Sequence, residues 1–139
     1  VVLSYCHYSL NDTGLETLLP WLHENGVGVI SASPLSMGLL TQSGPPVWHP
    51  APPELKSACR AAAEYCENRG VDIAGLAVAF SVTKQDITTT VVGTARADEI
   101  AKNVRWASEP VDEELLGQVN EILRPVRGLS WPSGRPENC

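Results

Sequence analysis

The sequence predicts an α/β fold with parallel strands, and three observations carry that expectation. Short apolar runs alternate along the chain with segments of helical periodicity. Two of these runs open into small residues and then a helix start: Val29-Ile30-Ser31-Ala32-Ser33-Pro34-Leu35-Ser36-Met37-Gly38, and Thr90-Val91-Val92-Gly93-Thr94-Ala95-Arg96-Ala97-Asp98-Glu99-Ile100-Ala101-Lys102-Asn103. The order that results is strand, helix, strand, helix, helix, strand, helix, helix, which calls for parallel strands joined by right-handed crossovers. Three such strands alone would expose two apolar edges around a small core. A closed barrel of eight βα units needs about 250 residues. The 139 residues present therefore fit the last part of a barrel better than a complete small domain.

Val1 to Tyr5 reads as a buried strand, short, apolar and unbroken. Asn11-Asp12-Thr13-Gly14 is turn and N-cap chemistry. Leu15, Leu18, Leu19 and Leu22 recur at helical spacing, with Pro20 expected to kink or restart the helix because it lacks an amide donor. Asn25-Gly26 closes that segment, and Val27 to Ala32 is a second strand. Residues 39–54 form a long loop made semi-rigid by Gly44-Pro45-Pro46, Trp48-His49-Pro50 and Pro52-Pro53. A helix runs from Glu54 to about Arg69 with Leu55, Cys59, Ala62 and Cys66 on one face, and Gly70 stops it. Ile73, Leu76, Ala77 and Phe80 mark the next helix. Thr88 to Val92 is a third strand, rich in β-branched residues. Asp98 to about Ala107 is a helix, and Leu115, Leu116, Val119, Ile122 and Leu123 define another, started near Asp112 and stopped by Pro125. The tail Leu129-Ser130-Trp131-Pro132-Ser133-Gly134 has no periodicity.

Composition narrows the function classes. Hydrophobic residues make up 43% of the chain, enough for an ordered core. A net charge of −6 with no Lys/Arg run argues against nucleic-acid and anionic-membrane partners. No apolar run approaches the ~18 residues that span a bilayer. No basic start with a cleavage pattern is seen, so the expected location is cytoplasmic. Cys6, Cys59, Cys66 and Cys139 contain no Cys-x-x-Cys pair and read as reduced thiols, two of them packed in a core. His7, His23 and His49 are too scattered for a zinc site. The chain opens Val1-Val2-Leu3, as if inside a strand, and its only methionine is Met37, as expected of a segment of a larger protein.

The two strand-to-loop motifs carry the chemistry. Ser33-Pro34-Leu35 follows a strand's C-terminal end, the face where parallel α/β folds bind ligands. Its hydroxyl and loop amides suit pyrophosphate oxygens, Pro34 fixes the turn, and Gly38 permits close backbone approach. Gly93-Thr94 leads in the same way into a helix N-terminus, which welcomes a phosphate. Each motif alone also reads as an ordinary turn. An open doubly wound nucleotide-binding domain would need Gly-x-Gly-x-x-Gly after the first strand, and none occurs.

Together, in order and separated by a helical segment, the two motifs resemble the C-terminal part of the aldo-keto reductase family. Its pattern is Tyr-Ser-Pro-Leu-Gly after the seventh strand and a Pro-Gly/Lys-Ser/Thr…Glu-Asn stretch after the eighth. Ser4-Tyr5-Cys6-His7-Tyr8, Gly44-Pro45-Pro46-Val47-Trp48-His49-Pro50 and Trp131-Pro132-Ser133-Gly134 extend the resemblance over essentially the whole chain, toward the family's sugar-oxidising members. The resemblance implies that residues 1–139 are a partial domain, strands six to eight of a (β/α)8 TIM barrel with their helices. It implies hydride transfer between NAD(P) and a carbonyl or sugar hemiacetal, with a small-molecule sugar as partner. Ser33, Leu35, Met37 and Gly38, with Pro34 between them, would line the pyrophosphate. Gly93, Thr94, Arg96, Glu99 and Asn103 would hold the adenosine half.

Departures from the family pattern leave alternatives. Tyr5 stands where a nicotinamide-binding Gln is usual, and Ala32 where a stacking Tyr is common, so Tyr5 either stacks on the nicotinamide or is a barrel-interior aromatic. Glu99 would repel the 2′-phosphate of NADP and accept from a ribose hydroxyl, favouring NAD, while Arg96 three residues earlier keeps NADP as the alternative. Trp48 and Trp131 are the local candidates for sugar contact, although Trp48 reads more readily as a packing residue. No catalytic residue is assigned: the family's Asp, Tyr, Lys and His lie on its first four strands. The chain alone is therefore expected to be inactive, and the alternative function is an inert fragment that at most binds a cofactor or a partner.

Overall fold

The computed structural model describes residues 1–132. The expectations placed on Ser133, Gly134 and Cys139 lie outside them. The elements occur in the predicted order: β1 (Val2–Tyr5), α1 (Leu19–Glu24), β2 (Val29–Ala32), α2 (Pro53–Glu67), α3 (Ile73–Ser81), β3 (Thr89–Val91), α4 (Ala97–Ala107) and α5 (Glu113–Leu123), with short 3₁₀ turns before α1, after β2 and after α5. The strands form one parallel sheet in the order β1-β2-β3.

Local chemistry sets the boundaries. Pro20 sits in the first turn of α1, where its missing amide costs nothing, so the predicted kink becomes a restart after the turn Gly14–Thr17. In the turn before it, the Asp12 carboxylate accepts from the Gly14 amide at 2.8 Å, while Thr13 makes no side-chain cap bond. β2 starts at Val29, two residues later than expected, because the Val27 amide is still committed to the Leu22 carbonyl in the helix stop around Gly26, whose φ is +66°. α2 starts one residue early, on Pro53, and ends in a left-handed Gly70 with the Val71 amide bonded back to Cys66. Asp72 and Asp112 cap α3 and α5 with their carboxylates.

The main core lies between α2, α3, α5 and the loop after β2, and includes Leu39, Leu40, Leu55, Cys59, Ile73, Val119 and Leu123. Cys59 and Cys66 are buried thiols within it, pushed up by burial to about 12 and about 11, so neither is a reactive thiolate. A second cluster, Tyr8, Leu15, Leu19, Leu22, Val29 and Ile87, packs under the β1 side.

One expectation fails. β1 is not buried: Leu3 is 60% exposed and Tyr5 is exposed beside it. The register places Leu3 with Ile30 and Thr89, and Tyr5 with Ala32 and Val91, on one face of the sheet. The helices cover the opposite face, where Val2 and Val29 pack, and among the described residues no layer covers the first.

Candidate functional site

Both strand-to-loop motifs emerge at the C-terminal ends of paired strands, β2 and β3, and the Ser33 amide donates to the Val91 carbonyl across them at 3.3 Å. The first loop has an unusual backbone. Ser33, Ser36 and Met37 have φ of 61°, 47° and 55°, and Gly38 has 97°. A left-handed conformation at a non-glycine residue costs on the order of 1–3 kcal/mol and persists only where its surroundings hold it. Ser36 supplies that hold. It is fully buried, its hydroxyl lies 2.7 Å from Asn11 Oδ1 and 3.0 Å from Ser9 Oγ, and its carbonyl meets His49 Nε2 at 3.1 Å. The Thr41 hydroxyl, donating to the Gly38 carbonyl at 2.9 Å, closes the loop's far end.

The second loop organises itself around Thr94. Its hydroxyl donates to Glu99 Oε2 at 2.5 Å and accepts from the Arg96 amide at 3.1 Å, setting up the first turn of α4. The Arg96 guanidinium is shared between Asp98, at 2.8 Å, and Glu99, at 3.3 Å. This pairing, the hydrogen bond first, holds Asp98 below the usual carboxylate range.

The loops meet at a cleft of about 330 Å³. Five of the expected residues line it: Leu35, Gly93, Thr94, Glu99 and Asn103. Its other walls were not anticipated and come from Thr41, Gln42 and Ser43 of the long loop, Asp72 and Ala74 at the start of α3, and Lys102 and Trp106 of α4. A sequence signal for the α4 pair existed: Glu99, Lys102, Asn103 and Trp106 are spaced as one helical face. Asn103 is buried, 6% exposed, and borders both this cleft and the apolar hollow beside it. A Cβ added to Gly93 would meet nothing within 4 Å, so the backbone there is open.

The remaining candidates stand elsewhere. Pro34 is buried and borders a separate apolar hollow under Asn103. Ser33, Met37 and Gly38 form the loop itself, and Arg96 is turned to its carboxylates. Tyr5 lies on the uncovered sheet face, and its phenol is raised above its ordinary pKa, chiefly by burial and then by Cys6. Trp48 is 70% exposed in the long loop, with its ring nearly parallel to that of His49 at 6.5 Å between centroids. Trp131 is half-buried against the main core, edge-on to His49 with centroids 4.8 Å apart, and so is first a packing residue.

Gly75 explains how Trp106 reaches the cleft. A Cβ on Gly75 would fall 2.8 Å from the indole Nε1. Gly75→Val is therefore expected to push the indole away and to cost about 1–3 kcal/mol by overpacking. Denaturant unfolding and near-ultraviolet circular dichroism of the variant check this; an unchanged aromatic spectrum would contradict the contact.

No helix among the described residues is long and apolar enough to cross a membrane. Residues 1–124 match the model of the Aldo/keto reductase family. The chain is 49% identical, over 99% of its length, to L-galactose dehydrogenase of Arabidopsis thaliana, of which it spans 44%. It is 35% identical over 60% of its length to D-arabinose 1-dehydrogenase of Saccharomyces cerevisiae, spanning 25% of that protein. It is 28% identical over 81% of its length to D-threo-aldose 1-dehydrogenase of a Pseudomonas species, spanning 36% of it. The chain thus covers less than half the length of each of these sugar dehydrogenases. The family's fold is a (β/α)8 barrel, of which β1 to β3 and their helices are a part. With the parallel sheet, the cleft at its C-terminal edge and a family match over 124 residues all in agreement, the chain belongs to the aldo/keto reductase family.

Proposed function

We propose that residues 1–139 are the C-terminal part of the aldo-keto reductase domain of an NAD-dependent sugar dehydrogenase, acting in the cytoplasm on L-galactose at C1 to give the lactone, a step toward ascorbate. The observation that carries the reading is the convergence of Leu35, Gly93, Thr94, Glu99 and Asn103 on one cleft. The 49% identity to a protein named for L-galactose oxidation supports the choice of sugar.

Bound NAD would accept the hydride from C1; these residues hold and orient it. In the loop 33–38 the Ser33, Ser36 and Gly38 amides are bonded to backbone carbonyls, so the Leu35 and Met37 amides, with the open backbone at Gly93, are the ones that suit phosphate oxygens. Asn103, which lines the cleft, carries an amide able both to donate to and to accept from the adenosine half. Glu99 places a carboxylate on the wall, and Arg96 is neutralised by two acidic partners, so a ribose hydroxyl fits there better than a 2′-phosphate. Trp48, exposed in the long loop, is the proposed sugar-facing aromatic, with Trp131 supporting the same loop through His49. The group that takes the C1 hydroxyl proton is placed outside these 139 residues.

The test is to assay the intact protein with L-galactose, D-arabinose and NAD, following NADH at 340 nm and identifying the product. Lactone formation from L-galactose is expected, and absence of NADH with every aldose would sink the reading. The uncovered face bearing Leu3, Tyr5 and Val91 favours a second reading, an inactive cofactor- or partner-binding segment. Residues 1–139 expressed alone would then bind NAD without turnover, and the intact protein would show none either.

A further inference from the structure

No role has yet been given to the His49 ring, yet both of its nitrogens are committed. The ring is buried, 2% exposed, between the loop after β2 and the start of α2. Nδ1 accepts from the Ala51 amide at 3.1 Å. A backbone amide is only ever a donor, so the ring proton must sit on Nε2, which donates to the Ser36 carbonyl at 3.1 Å. Trp131 meets the ring edge-on and Trp48 lies nearly parallel to it. The His49 carbonyl accepts from the Lys56 ammonium at 2.6 Å, tying the same residue to α2. Its partner Ser36 is the buried member of the left-handed stretch 33–38.

We propose that His49 is a positioning residue, a neutral Nε2–H latch that holds the left-handed loop 33–38 in its phosphate-binding shape and releases it when the ring is protonated. The role of that loop rests on the proposed function above; the latch itself does not. Protonation would put a second hydrogen on Nδ1, against the Ala51 amide, and break that bond; Nε2–H still donates to Ser36, so release follows from the charged ring leaving its buried site and taking that donor with it. Among the described residues the charged group that reaches His49 is Lys56, which adds repulsion to an imidazolium; no carboxylate pairs with the ring. Burial, with Lys56 behind it, holds the imidazole below its ordinary pKa against the opposing Ser36 bond. The sign follows. A folded-state pKa below the unfolded one means the latch is fully formed above about pH 6.5 and weakens as pH falls below it.

The experiment measures amide hydrogen-exchange protection in the intact, cofactor-free protein between pH 5 and 7.5, and NAD affinity by calorimetry. Wild-type protection at residues 35–40, corrected for intrinsic exchange, is expected to fall toward pH 5 while α5 keeps its own. His49→Phe keeps an aromatic between the tryptophans but cannot donate; it should lose loop protection at all pH values and weaken NAD about tenfold, as expected for a stranded buried acceptor. His49→Gln retains a donor for Ser36 and does not titrate, so it should hold the loop and abolish the pH dependence. Wild-type loop protection in His49→Phe, or a pH-independent loop in the wild type, overturns the proposal. If His49→Phe fails to fold, the wild-type pH profile and His49→Gln decide. A loop that behaves as described in a protein that binds no NAD would overturn the proposed function and leave the latch standing.

Discussion

Glu99→Arg is expected to swing cofactor preference toward NADP by about ten- to a hundredfold, read as the ratio of kcat/KM with NADP to that with NAD. A carboxylate on the cleft wall opposes a 2′-phosphate, whereas a guanidinium would pair with it in a charge-assisted bond worth about 1.5–3 kcal/mol. Each 1.4 kcal/mol is about a factor of ten. The substitution also acts twice, because Arg96 loses one of its two acidic partners and keeps only Asp98. Glu99→Gln separates the effects: it removes the repulsion and keeps an acceptor for Thr94, so it should fall between wild type and Glu99→Arg. Higher salt should shrink the difference, since Glu99 and Arg96 are about half-exposed or more. A wild-type enzyme that already prefers NADP, or a ratio that Glu99→Arg does not move, would show that this carboxylate does not face the ribose.

The order and type of the strands and α-helices were legible because the relevant signals are local, while the short 3₁₀ turns were not read. Pro20, Gly26, Gly70 and the capping Asp72 and Asp112 each act on their own turn, and the apolar periods between them are long enough to separate helix from strand. On α4 the wall residues Glu99 and Asn103 were legible for the same reason, and the rule that places them together extends to Lys102 and Trp106. The failures are non-local. In β1 an unbroken apolar run reads as buried on both faces, but burial depends on what lies across the sheet, which a strand's own residues do not specify. In the loop 33–38 the left-handed residues break the alternation of side-chain directions, so Ser36 points inward and becomes the support while its neighbours form the surface. His49 finds Ser36 thirteen residues away, and no spacing rule joins the two. Trp48 and Trp131 look equivalent as sequence; only the packing of the long loop makes one exposed and the other half-buried.

Leu55→Ala is expected to destabilise the protein by about 2–5 kcal/mol. Leu55 is fully buried at the start of α2, in the cluster that joins Leu39, Leu40 and Ala51 of the long loop to Val119 and Leu123 of α5. Truncation removes its transfer free energy and leaves a cavity, because the loop above is stiffened by Pro45, Pro46, Pro50 and Pro52 and cannot collapse freely into the gap. Leu55 shares its cluster with Ala51, whose amide donates to the His49 ring, so the loss should spread to the loop 33–38 as well as to global stability. The urea midpoint should drop at unchanged m value, and NAD affinity should fall in the folded protein at low denaturant. Leu18→Ala removes the same atoms from an exposed site before α1 and should stay within about 0.5 kcal/mol of wild type. Equal, small effects from the two substitutions would mean that α2 is not the platform on which the candidate phosphate loop rests; a large effect of Leu55→Ala on stability with NAD affinity intact would uncouple that platform from the loop.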